Sequence, residues 1–103
     1  AYAAIAPEVR NGILIAVVTV DAQSGDSVAA PELVARGFLH DDERLKGVLE
    51  ECGEALDELM SELGAEHVTG RSLIRDDIVQ RLSELVFRRT RSRPLIMPVV
   101  VEV

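Results

Sequence analysis

The sequence predicts an α+β domain, a two-layer sandwich in which a three-stranded sheet packs on two antiparallel helices in the order β-β-α-α-β. Three observations predict it. A continuous β-branched run stands near the start, two segments of helical period fill the middle, and a Val-rich run entered through two prolines closes the chain. At 103 residues the chain has material for one hydrophobic core, and with 48% apolar residues, 3% aromatic and no Trp, that core is aliphatic.

Gly12-Ile-Leu-Ile-Ala-Val-Val-Thr-Val20 is apolar throughout and bounded by Asn11-Gly12 before it and Asp21–Gly25 after it, the pattern of a strand buried on both faces at the centre of a sheet. Turn formers over Asp21–Asp26 close a hairpin into Ser27–Leu39. There Pro31 removes a ladder donor and Gly37 weakens the interior, so this second strand is broken and belongs at an edge. Residues 1–10, with four Ala and Pro7, show no period and read as a linker or a remnant outside the fold, leaving 11–103 as the domain.

From Asp41 the period changes. Leu45, Val48, Leu49, Cys52, Ala55, Leu56, Leu59, Met60 and Leu63 recur at helical spacing, with acids on the other side. Asp41, Asp42 and Glu43 crowd the positive end of this helix, and Gly64 stands where a C′ cap is expected. A second helix is predicted from Thr69 as N-cap, with Val68 and Leu73 as a hydrophobic staple and Ile74, Ile78, Leu82 and Leu85 as the core stripe, running to about Thr90. Arg93-Pro94 stops it, and Leu95–Val103 is the last strand. Two antiparallel helices return the chain to the end of the sheet where it left. The third strand then lies parallel to the first through a right-handed crossover, giving the strand order 2-1-3.

Catalytic constellations are sparse. His40 and His67 stand alone, outside any metal-ligating spacing, and His40 reads as the residue before a helix cap. Cys52, the one cysteine, lies on the apolar stripe of the first helix, where a thiol is inert, and it excludes both an internal disulfide and a cysteine-based zinc cluster. No phosphate-binding glycine loop and no nucleophile elbow occurs. The longest apolar run falls far short of the roughly 20 residues of a membrane helix, and no basic n-region opens the chain. The expectation is a cytoplasmic protein with no membrane contact and no cofactor or catalytic site of its own.

Two features remain. The net charge of −7 is unevenly divided: residues 1–63 carry 13 acids and 4 bases, residues 64–103 carry 5 acids and 7 bases. The bases culminate in Arg88-Arg89-Thr90-Arg91-Ser92-Arg93. Arg88, Arg89, Arg91 and Arg93 suit phosphate contact, but they equally suit capping of the helix end and pairing with the acidic helix, and no aromatic interleaves the run to stack bases. The second feature is that both long strands are apolar on both faces, whereas helices on one side of the sheet require only one. The open face, with Ile15, Val17, Met97, Val99 and Val101 as its candidate interface residues, is therefore expected to pack on another subunit or domain.

These segments carry a family likeness. Gly12–Asp21 with a turn ending in Ser24-Gly25, Pro31-Glu-Leu-Val-Ala-Arg-Gly-Phe38, and Thr90-Arg91-Ser-Arg-Pro-Leu-Ile-Met-Pro98 running on to Val103 resemble the C-terminal domain of ribonuclease J, over about residues 11–103. The acidic, alanine-containing style is that of a high-GC bacterial member. The resemblance implies a parent enzyme with a metallo-β-lactamase domain and a β-CASP domain upstream, a zinc-dependent exonuclease and endonuclease acting on RNA in mRNA decay and rRNA maturation. It implies that the zinc ligands, an H-x-H-x-D-H cluster, lie in that upstream part, so that no catalytic residue and no metal transfers to this chain. For this domain it implies a role in assembly, as a homo-oligomer contact or by packing on the parent's other domains. The alternative is that the arginine run guides RNA. Ala1–Ala6 departs from the charged linker of the family.

Overall fold

The computed structural model describes residues 12–65 and 70–103. From Gly12 the chain forms strand β1 (Ile13–Val20), turns, and returns as the short strand β2 (Glu32–Arg36). Helix α1 (Asp42–Ala65), helix α2 (Arg71–Thr90) and strand β3 (Leu95–Glu102) follow. The strands make one sheet in the order β2-β1-β3, with β2 antiparallel and β3 parallel to β1. A hairpin suffices for the first pairing, and the helical pair supplies the crossover that the second requires. Element order, strand order and strand senses are those the sequence predicts. The proposed linker, residues 1–10, lies outside the described residues.

The helices cover one face of the sheet. Leu14, Ala16, Val18 and Val20 of β1, Ala35 of β2, and Ile96 and Val100 of β3 are buried beneath them. Against these side chains α1 sets Val48, Cys52, Leu56, Leu59, Met60 and Leu63, and α2 sets Ile74, Ile78, Leu82, Leu85 and Val86. No polar or charged residue among the described ones is buried, so the layer is held by apolar packing, aliphatic for the most part. The hairpin turn is fixed by Asp21, whose Oδ1 accepts the backbone N–H groups of Gln23 (2.8 Å) and Ser24 (3.0 Å). These bonds, that from Ser24 first, hold its carboxyl below the usual carboxylate range. Asp41 caps α1 in the same way, accepting from Glu43 N at 3.0 Å and Arg44 N at 3.2 Å.

Three local expectations fail, each for a geometric reason. The second strand does not run through Ser27–Leu39: Ser27 keeps one bridge to Val20, and the ladder spans only Glu32–Arg36. Gly37 (φ 77°) and Leu39 (φ 57°) then take left-handed backbone that no strand can continue through. Gly64 is not a C′ cap but a buried residue within α1. A Cβ there would meet Asp26 Oδ1 at 2.7 Å, so glycine lets the hairpin turn approach the helix. The second helix is entered through Gly70, in extended conformation and without a side-chain cap bond. Leu73 is 61% exposed, one residue out of phase with the buried stripe that begins at Ile74, and its proposed partner Val68, like Thr69, lies outside the described residues.

Gly12 marks the point where the elements cross. Its φ is 86°, a Cβ would meet Arg36 O and Gly37 C at 2.7 Å, and its own carbonyl accepts Leu95 N at 2.8 Å. Gly12→Ala therefore combines left-handed strain with a collision against backbone, and is expected to lower the unfolding free energy by about 2–3 kcal/mol. Gly64→Ala meets only the movable end of an aspartate and improves helix propensity, so its effect stays within about 1 kcal/mol. Urea midpoints of the two variants check the contrast. A further expectation concerns pH. Because the folded-state pKa of Asp21 is lowered, its contribution is fully present above the unfolded value of about 3.9 and is lost as pH falls through the folded value. The stability gap between the native chain and Asp21→Asn should thus be constant from about pH 7 to pH 5 and close below about pH 4; a gap that persists unchanged in acid contradicts this role.

Candidate interaction surface

The side chains that β1 and β3 turn away from the helices form rows fixed by the strand register. Ile13 stands between Arg36 and Leu95, Ile15 between Val34 and Met97, Val17 between Glu32 and Val99, and Thr19 beside Val101. No helix covers them. Met97 is 43% exposed, and Val34, Val99 and Val101 are each 40% exposed, whereas Ala35, Ile96 and Val100 and the alternate residues of β1 are buried. Ile15 and Val17 are half-buried because the central strand is shielded by a neighbour on either side. All five interface candidates, Ile15, Val17, Met97, Val99 and Val101, thus share this one surface, with Ile13, Leu95 and Val34 extending it. Polar residues stand only at its margins: Arg36 and Glu32 on β2, and Thr19 toward the turn.

The four arginines do not act as one cluster. Arg89 Nη2 lies 2.6 Å from Glu51 Oε1 on α1, and its carbonyl accepts Arg44 Nη2 at 3.0 Å, so this residue ties the two helices together. Arg88 lines a groove with Glu51, Glu54, Glu58 and Glu84. Both stand in the last turn of α2, where positive charge complements the helix dipole. Arg91 and Arg93 go elsewhere: their guanidinium carbons lie 5.4 Å and 4.0 Å from the centroid of the Phe87 ring. No aromatic interleaves the run, but one adjoins it. Phe87 precedes it directly and is four residues from Arg91, a helical neighbour spacing that was available in the sequence.

The isolated candidates gather no chemistry. Cys52 is fully buried, and desolvation, with the charge of Glu51, pushes its thiol up to about 11, so it stays protonated at neutral pH. His40 is exposed before the Asp41 cap, and His67 lies outside the described residues. Among the described residues no three His, Cys, Asp or Glu side chains are grouped to hold a metal ion, and no helix is long and apolar enough to cross a membrane.

Residues 9–103 match the family model described as the ribonuclease J C-terminal domain. The chain is 28% identical over 94 residues to ribonuclease J2 of Bacillus subtilis and 34% identical over 94 residues to ribonuclease J 2 of Staphylococcus epidermidis. It is 36% identical over 95 residues to ribonuclease J 2 of Staphylococcus saprophyticus. Each match takes in 91% of this chain and 17% of the relative, so the chain spans under a fifth of the length of the proteins it resembles. The match covers all five structural elements described above, and the chain belongs to the ribonuclease J C-terminal domain family.

Proposed function

We propose that this domain is a non-catalytic packing module of a ribonuclease J-like enzyme, and that its uncovered sheet face is buried in the assembled enzyme. The observation that carries the reading is the run of apolar rows from Ile13 and Leu95 to Val101, bordered by polar residues, on a sheet whose other face is fully used. An apolar centre with a polar rim is the anatomy of an interface, and its burial stabilises contact by about 25 cal/mol per Å² of apolar area. Two occupants fit: a second copy, which two-fold symmetry would bring face to face, or the enzyme's own upstream domains.

In this reading the parent is a cytoplasmic, metal-dependent ribonuclease with exonuclease and endonuclease activity in mRNA decay and rRNA maturation. Its zinc and catalytic groups belong to the upstream domains, and the residues of this chain take no step of the chemistry. Their work is to hold catalytic bodies in a fixed relation.

The test is the paired substitution Val17→Asp and Val99→Asp in the whole enzyme. Both residues lie on the uncovered face, so the domain's own core and helix content are preserved, while two unpaired carboxylates in a dry contact cost on the order of 3–5 kcal/mol. Light scattering is expected to give a lower mass if the partner is a second copy. If the partner is an upstream domain, the mass is retained, the melting temperature falls and the domain junction becomes open to proteolysis. Unchanged mass, melting temperature and protease resistance would overturn the proposal.

A further inference from the structure

Four arginines crowd residues 88–93, yet the structure divides them. Arg88 and Arg89 face the carboxylates of α1, and the latter is ion-paired with Glu51. Arg91 and Arg93 are exposed, and among the described residues neither has a carboxylate within ion-pair distance, unlike Arg71, Arg81 and Arg89. Both instead share one half-buried ring, that of Phe87. A guanidinium seated over an aromatic ring keeps its N–H edge and its outer face available, the edge for a phosphate and the face for a base.

The backbone fixes the geometry of this corner. Arg91 is the C-cap of α2 and holds φ 61°, with its N–H donating to Phe87 O at 2.8 Å. Glycine takes that conformation without strain, whereas any other L-residue bears about 1–2 kcal/mol. An arginine at this position thus bears strain that glycine would not.

Placement narrows the partner. Arg93 is two residues before Leu95, whose N–H donates to Gly12 O at 2.8 Å. Gly12 immediately precedes β1, so the arginine corner lies at the end of the sheet where β1 starts and β3 is entered. Helix α1 carries eight of the chain's 18 acids and repels a polyanion. Among the described residues, only this corner offers a polyanion unpaired positive charge together with a stacking surface.

We infer that Arg91, Arg93 and Phe87 form a contact for single-stranded RNA, binding a phosphate through the guanidinium edges and a base by stacking, at the end of the sheet where β1 starts. The inference rests on the reading of the parent as a ribonuclease. It replaces a run of four interchangeable arginines with two that touch RNA and two that serve the fold. Sequence preference is not expected, because every base has a face to stack and the phosphate is common to all.

The test uses the whole enzyme and a fluorescent, cleavage-resistant phosphorothioate oligouridylate, with affinity measured by anisotropy across a salt series. Arg91→Gln with Arg93→Gln is expected to weaken binding about 5–20-fold and to reduce the slope of log affinity against log salt by about 1–2. Phe87→Leu, which keeps an apolar side chain but removes the stacking platform, is expected to cost a few-fold, and Arg88→Gln with Arg89→Gln to leave affinity unchanged. Particle mass is recorded for each variant. Native affinity and slope in the Arg91 and Arg93 variant overturn the RNA contact while the enzyme still cleaves RNA. Weakened binding accompanied by a changed mass also overturns it, since the arginines then hold protein. A native enzyme that neither binds nor cleaves RNA overturns the ribonuclease reading itself.

Discussion

β1 is apolar on both faces, and the described chain has helix enough to cover one of them. That constraint organises the rest of the molecule. Leu14, Ala16, Val18 and Val20 are buried by α1 and α2, and with β2 antiparallel on one side and β3 parallel on the other the strand's backbone is paired along both edges. Its other row, Ile13, Ile15 and Val17, is shielded only laterally, by Val34, Leu95, Met97 and Val99. An antiparallel sheet with one wet face ordinarily alternates apolar and polar residues. Here the alternation is missing where solvent is the neighbour, and packing inside the domain gives no reason for it.

The corner at Gly12 ties fold and function together. Three segments meet there: the start of β1, the exit from β2 through Arg36 and Gly37, and the entry to β3 at Leu95. Their approach is close enough to exclude any side chain at Gly12, which makes the corner a fixed frame rather than a loose joint. The same frame fixes the start of β1, the end of β2 and the entry to β3 against one another. Acidic α1 lies on the far layer, held to α2 by Arg89 and Glu51 and by Arg81 and Glu62, so the polar and apolar surfaces do not compete for one partner.

Most of this was legible in the residues. The two-sided apolarity of Ile13–Val20 and Leu95–Val103 places those strands side by side, and the stripes Val48–Leu63 and Ile74–Leu85 orient both helices, because periodicity reports which face is buried. What stayed hidden depends on contacts distant in sequence or on single backbone angles. Gly64 has the position of a helix stop, and only the approach of Asp26 from the hairpin shows why it is a helix residue. Leu39 carries no mark of the left-handed backbone it adopts. The arginine run reads as one patch in one dimension; the helix end and the αL turn at Arg91 separate it into two, and they bring Phe87 under the half that faces outward. The ribonuclease J likeness, carried by the strand and entry motifs, agrees with the family to which residues 9–103 belong.

The central claim is that the uncovered sheet face is dry in the assembled enzyme, and its two methionines in this domain measure that directly. Met60 is buried in the core and Met97 is 43% exposed at the centre of the open face. Limited peroxide oxidation of the native whole enzyme, mapped by peptide mass, reads the access of each thioether to solvent. The account predicts that Met97 resists oxidation as Met60 does, and becomes reactive when Val17→Asp and Val99→Asp open the contact. Rapid oxidation of Met97 in the intact, fully assembled enzyme would contradict it.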